Sequence, residues 1–444
     1  MKSTLTANQR EYVLFHLNNI FELSSEIRKW IVFSEINEDH ICFTQSSKGF
    51  DEDSVLWIDD LPVLFPESYD SPIYTFENGT LIFHHDLLKS AFYLLSGYQE
   101  YRSSQKDILG RFPYKGSIQS NLKIIHRPVV NEYFELIADA IKVFCRYHRI
   151  PFNNRQLFKK FGFFLTHDVD RIDKYSFHTV KGKIKKGPFK IAIQRILRWL
   201  NPFYRKNPYW SYDYLNTIED KLGIRSCYYF LNKDVKHEDS YYKFSNTRIS
   251  KLIATLEKKE KEIGLHGGVR SSNDPALIKK NFMELQEVSR NAIMGNRQHR
   301  LIFNLPQTMK YLFDNNIYYD SSLGFAAHEG FRNSYCLPFK LFDFEQDKMI
   351  NVWEIPLNIM DGTLFNYRNL SYDEALDSIR SLVKITKKYH GVITLLFHPD
   401  FVDEEERPGI REFYENTLTM IMKENAQSVT GFDILELLGD INVH

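Results

Sequence analysis

From Phe161 onward, short apolar runs recur with longer helical stretches between them, and this rhythm constrains the fold more than any other feature. The runs cover residues 162–166, 224–231, 263–265, 293–294, 317–319, 352–355 and 391–397. Stretches such as 247–261 and 372–389 carry apolar residues at helical spacing between them. Strands alternating with helices are the signature of repeated β-α units. Seven such strands predict an α/β barrel or a nearly closed parallel sheet. Residues 1–155 lack this rhythm and read as a smaller mixed α/β domain. It has strand-like runs at 30–33 and 41–43, helical stretches near 87–98 and 130–147, and a loop at 110–114. The expected division is therefore 1–155 and 156–444. The first part gathers no nucleophile, base or metal pair, which leaves packing, substrate presentation or partner contact as its role.

Charge and cysteine usage narrow the class. Lys plus Arg and Asp plus Glu both number 57, so overall charge argues for no polyanionic partner, and no motif for nucleic acid is present. One segment departs from this balance: residues 174–206 hold ten Lys or Arg and no Asp or Glu. Within it, FKIAIQRILRWL can form an amphipathic helix suited to an anionic membrane surface, an acidic saccharide or a lipid-linked phosphate. The plainer reading is a barrel helix with a solvated basic face. Cys42, Cys145, Cys227 and Cys336 are scattered, without zinc-ribbon spacing or a disulfide framework, and Cys145 and Cys227, inside apolar runs, are expected to be buried thiols. The first residues lack a signal-peptide core, and no window reaches the ~18 apolar residues of a membrane span. The expectation is a cytoplasmic protein, with the basic segment able to rest on the inner face of the membrane.

Three apolar runs end in residues that bind metals or move protons. The first reads Thr166-His167-Asp168-Val169-Asp170, the second Leu265-His266-Gly267-Gly268, the third Leu396-Phe397-His398-Pro399-Asp400. Active sites of parallel barrels lie at the carboxyl ends of strands, so these tips should converge. Asp-x-Asp at a strand end lets one carboxylate ligate a divalent cation while the other accepts a proton from water. Histidine adds a neutral nitrogen ligand, and a second histidine can protonate a leaving group.

On these motifs the stretch from about 160 to 435 resembles the polysaccharide deacetylase family, carbohydrate esterases of the family four type with a distorted (β/α)7 barrel. The resemblance implies Asp168 as catalytic base, Asp170 and His266 as metal ligands and His398 as general acid. It also implies Arg297 as the residue orienting the base, and Asp320 falls where a further motif is expected. Zinc is the implied metal, with cobalt or nickel as alternatives. Four residues after His266, where the family has its second metal-binding histidine, this chain has Arg270. A guanidinium donates without accepting and cannot ligate a cation. His299, His328 and His167 are the candidates to complete the set.

The expected activity is removal of an acetyl group from a sugar of a polysaccharide or glycan precursor. Trp210, Tyr228, Trp353 and Phe365 are candidate sugar-stacking aromatics, although core packing accounts for such residues equally well. Two other readings remain open. A non-catalytic saccharide-binding or scaffold protein would explain Arg270. A metal-dependent phosphoesterase would use Arg270 and the basic segment for phosphate. The first 150 residues are similar to an uncharacterised region that accompanies some bacterial deacetylase-like proteins, through the stretches 86–93, 110–113 and 127–128.

Overall fold

The structure is a computed structural model that describes residues 3–33, 35–175, 193, 196–198, 207–233 and 239–440. Most of the basic segment 174–206 therefore lies outside the described residues. Its first member, Lys174, is buried between Asp403 and Glu405 and so faces acidic side chains of its own chain. Among the described residues no helix is long and apolar enough to cross a membrane. All four cysteines are free and buried.

The N-terminal strands are β1 (Ile31–Phe33), β2 (Ile41–Phe43), β3 (Leu56–Ile58), β4 (Leu61–Val63), β5 (Tyr74–Glu77) and β6 (Thr80–Phe83). They form a four-stranded sheet, β1-β2-β6-β5, and a separate β3-β4 hairpin. The helices Ala7–Leu17, Leu87–Leu95 and Val129–His148 pack beside them. This region is joined closely to the C-terminal part of the chain. Tyr12 and Phe92 meet Phe342 edge-on at 5.2 and 5.1 Å, and Glu100 forms a buried 2.6 Å ion pair with Arg332. One apolar cluster runs through both parts of the chain.

The later strands are β7 (Gly162–Val169), β8 (Ser226–Leu231), β9 (Glu262–Gly267), β10 (Gly295–Gln298), β11 (Tyr319–Asp320), β12 (Phe339–Asp343), β13 (Lys348–Glu354), β14 (Ile359–Met360), β15 (Val392–Leu396) and β16 (Gln427–Ser428). Nine of them lie in the order β12-β13-β11-β10-β9-β8-β7-β15-β14, and β16 adds to β7. Every pairing is parallel except β12 with β13. The sheet curls into a half-barrel, and among the described residues no ladder joins β14 to β12. Six of the seven apolar runs overlap these strands. At 293–294 the strand begins one residue later, at Gly295.

Period-two alternation decides which side chains reach the inside of the curl. On β7, Phe163 and Leu165 pack outward on the helices Tyr372–Lys388 and Ile410–Lys423. Phe164 points inward with Tyr229, Tyr319 and Trp353. Burial on both faces explains why these strands read as nearly continuous apolar runs. Ser371 caps the first of those helices through a reciprocal pair of hydrogen bonds with Glu374.

Candidate metal and catalytic site

Going up the inside of β7, the residues after Phe164 are Thr166 and Asp168, where the apolar interior gives way to polar groups. The neighbours across the ladder follow the same parity: Arg297 on β10 is paired with His266 on β9, and both point inward. Arg297 is fully buried. Its Nη1 donates to Thr166 Oγ1 at 2.6 Å and Asp168 Oδ1 at 3.2 Å, while Nε and Nη2 donate to the Ser321 carbonyl and hydroxyl. The guanidinium lies 4.6 Å from the Tyr229 ring centre. Gly264 makes room for that ring, since a Cβ there would sit 2.5 Å from it. A buried arginine is tolerable only with such complete pairing, and it fixes one edge of the Asp168 carboxylate.

Three donors converge above this layer. His266 Nδ1 donates to the Arg297 carbonyl at 2.7 Å, which turns the lone pair of Nε2 toward Asp168 Oδ2 and Asp170 Oδ1 at 3.5 and 3.3 Å. His299 is oriented the same way: Nδ1 donates to the Asp239 carboxylate at 2.7 Å, and Nε2 lies 3.5 Å from Asp170 Oδ2. One ligand atom each from Asp170, His266 and His299 falls within 4.8 Å of the others. His266 Nε2 and Asp170 Oδ1 are buried without a hydrogen-bond partner. Two imidazoles oriented from behind and a carboxylate, with unsatisfied atoms facing one point, are the donor set a divalent cation needs. The third ligand atom of this group is offered by His299 and not by Arg270.

Without a cation the cluster holds protons instead. Burial works to lower the His299 pKa, but Asp170 and Asp239 prevail and raise it to about 9. Burial works to raise Asp170, and His299 and His266 prevail and hold it well below the usual carboxylate range. A metal must displace such protons, so binding weakens as pH falls.

His398 follows β15 on the other side of the cavity, its Nε2 3.9 Å from Asp170 Oδ2. Asp361, after β14, accepts from both the His398 backbone N–H at 2.7 Å and Nδ1 at 2.8 Å. Burial disfavours the imidazolium, yet Asp361 outweighs it and lifts the pKa to about 10. His398 is therefore a proton donor near neutral pH.

These groups line a cavity of about 410 Å³, together with Arg171, Asp400, Phe401, Tyr367 and, from the N-terminal region, Leu109 and Arg111. A larger cavity of about 780 Å³ lies at the other ends of β8 and β9. Of its basic side chains, Arg225 pairs with Asp433 and Lys261 with Glu219, and among the described residues no ligand set converges there.

Several predicted site residues lie elsewhere. His167 has the opposite parity to Asp168, so it points outward, stacks on Tyr228 and sits 3.0 Å from Glu219. Asp320 likewise faces away, accepting from Asn296 and the Ser322 N–H beside the buried Glu354. Arg270 begins the turn after β9 and is not among the residues lining the cavity. His328 belongs to a second group with His126 and Glu329, where Arg368 donates to both His328 and Glu329 and so occupies the place of a cation. Of the candidate stacking aromatics, Tyr228 and Trp353 are core, Arg248 covers Trp210, and Phe365 packs on Phe401 and Phe413. The aromatics at the cavity are Tyr367 and Phe401. Asp361, Asp239 and Arg111 had no signal in the strand-tip pattern.

Residues 1–145 match a family of unknown function, DUF7033. No curated protein matches the sequence. Among solved structures, the C-terminal part is similar to a protein of Mycobacterium smegmatis assigned as a polysaccharide deacetylase (16% identity, 64% of this chain and 92% of that one, TM-score 0.42). It is also similar to the PuuE allantoinase (10% identity, 63% and 92%, TM-score 0.43). A third is a CE4 family pseudoenzyme from Bacillus anthracis (12% identity, 62% and 66%, TM-score 0.34).

Proposed function

We propose that this protein is a metal-dependent hydrolase that removes an acetyl group from a sugar of a polysaccharide or glycan precursor. The observation that carries the reading is the convergence of Asp170, His266 and His299, with Asp168 and His398 beside them. Asp170, His266 and His299 would hold the cation, zinc being the first choice for this donor set and cobalt or nickel the next. When bound, such a cation supplies Lewis-acid polarisation of an acyl oxygen and acidifies water.

The chain's own groups account for the proton movements. Arg297 holds Oδ1 of Asp168, leaving Oδ2 toward the cavity to take a proton as water adds to the acyl carbon. His398 gives its proton to the departing sugar nitrogen or oxygen as the acyl bond breaks. Asp361 keeps that proton on His398 until it is needed. A saccharide-binding module needs neither the base nor the acid. The test is acetate release, set against phosphate release, from a panel of acetylated and phosphorylated sugars with zinc, cobalt or nickel added. Acetate release that Asp168→Asn abolishes supports the reading. Phosphate release alone, or no turnover with any metal, contradicts it.

A further inference from the structure

The cavity is not built by the curled sheet alone. Leu109 and Arg111 reach it from the first 145 residues, although the sheet begins at Gly162. Arg111 is nearly buried, and its contacts tie three segments together. Nε donates to Asp107 within its own loop at 2.8 Å, and Nη1 donates to the Arg300 carbonyl at 2.8 Å. Nη2 reaches the hydroxyl of Tyr367, another residue lining the cavity, at 3.4 Å.

The Arg300 carbonyl matters because the residue before it is His299. Arg300 and Leu301 have φ of 58° and 57°, left-handed values that side chains with a Cβ adopt at a cost. Two such residues in a row are costly and gain from outside support, and the chain turns there directly after His299 Nε2 has been aimed at Asp170. Asp239 orients the His299 ring from one side; Arg111 holds the backbone that follows it.

We infer that Arg111 is a positioning residue of the metal centre, through which the N-terminal region sets the place of His299 and closes one wall of the substrate cleft. This rests on the reading of Asp170, His266 and His299 as metal ligands. The region matched only by a family of unknown function is then a working part of the site.

The test uses the full chain loaded with Co(II), whose visible d–d spectrum reports ligand geometry. Cobalt affinity is measured by competition with a chelator for the wild type, Arg111→Ala and Arg111→Lys, alongside thermal unfolding of each metal-free protein. Arg111→Ala is expected to weaken cobalt binding about tenfold, the lower range for groups behind a ligand, and to alter the spectrum. Arg111→Lys, which can still donate to the Arg300 carbonyl, should recover part of both. Tyr367→Phe serves if Arg111→Ala does not fold: it removes only the hydroxyl that Nη2 reaches and is expected to shift the spectrum less than Arg111→Lys. Wild-type cobalt binding with an unchanged affinity and spectrum in the Arg111 variants would overturn this inference and leave the metal site standing. No cobalt binding by the wild type would overturn both.

Discussion

Replacing Asp361 by Asn should expose how the proton on His398 is held. Asp361 is fully buried and accepts two hydrogen bonds from His398, at its backbone and at Nδ1. Burial alone would lower the imidazole from its ordinary 6.5, and Asp361 instead raises it to about 10. A raised pKa means the proton is kept through neutral pH, so the acid is lost only as pH climbs past about 10. Removing the charge lets the value fall toward the ordinary 6.5, with burial lowering it and Asp170 and Asp168 still raising it. At pH 8 a group that fell as far as 6.5 would be about 3% protonated, so the loss of acid approaches about 30-fold, against less than about twofold at pH 6. The same sign governs stability: this contribution is full below 6.5 and fades as pH rises through about 10. The assay is the pH profile of acetate release from an N-acetylated oligosaccharide by the two proteins. The alkaline arm should move down by several pH units in Asp361→Asn. With 4-nitrophenyl acetate, whose leaving group needs little acid assistance, the shift should nearly vanish. An alkaline arm unmoved on the oligosaccharide would refute the assignment of His398 as the acid.

Two further substitutions probe the surroundings. Asp239→Asn leaves His299 without the carboxylate that fixes its tautomer, and should weaken zinc binding by about 10- to 100-fold in a chelator competition. Glu354 is pushed well above the usual carboxylate range by burial and then by Asp320. Its folded form favours the proton, so stability is full below 4.5 and falls as pH rises. Glu354→Gln, which mimics the protonated acid, should raise the melting temperature at pH 9 by roughly 2–4 °C and leave it nearly unchanged near pH 4.

The long buried strands were legible in the sequence because covering on both faces makes them read as unbroken apolar runs. Gly162–Val169 and Val392–Leu396 are clear cases. The strand Gly295–Gln298 was not, since Asn296 and Arg297 spend their side chains on buried hydrogen bonds and leave no hydrophobic periodicity. Its position also hid how near His299 comes to His266. The strand Ile359–Met360, two residues long, gave no pattern to announce Asp361. Parity separates Asp168 from His167 once the strand's inward face is known, and only the packing partners reveal that face. The role of Arg111, placed in a loop, could not be read: its contact with Arg300 spans 189 residues and depends on tertiary structure alone.

The most direct measurement is the metal content of the purified protein by elemental analysis, for the wild type, His266→Ala and His299→Ala. The account predicts close to one equivalent of zinc, cobalt or nickel in the wild type and its loss in both variants. No bound metal in the wild type, even after each ion is supplied, would contradict the account. Retention of metal by both variants would do the same.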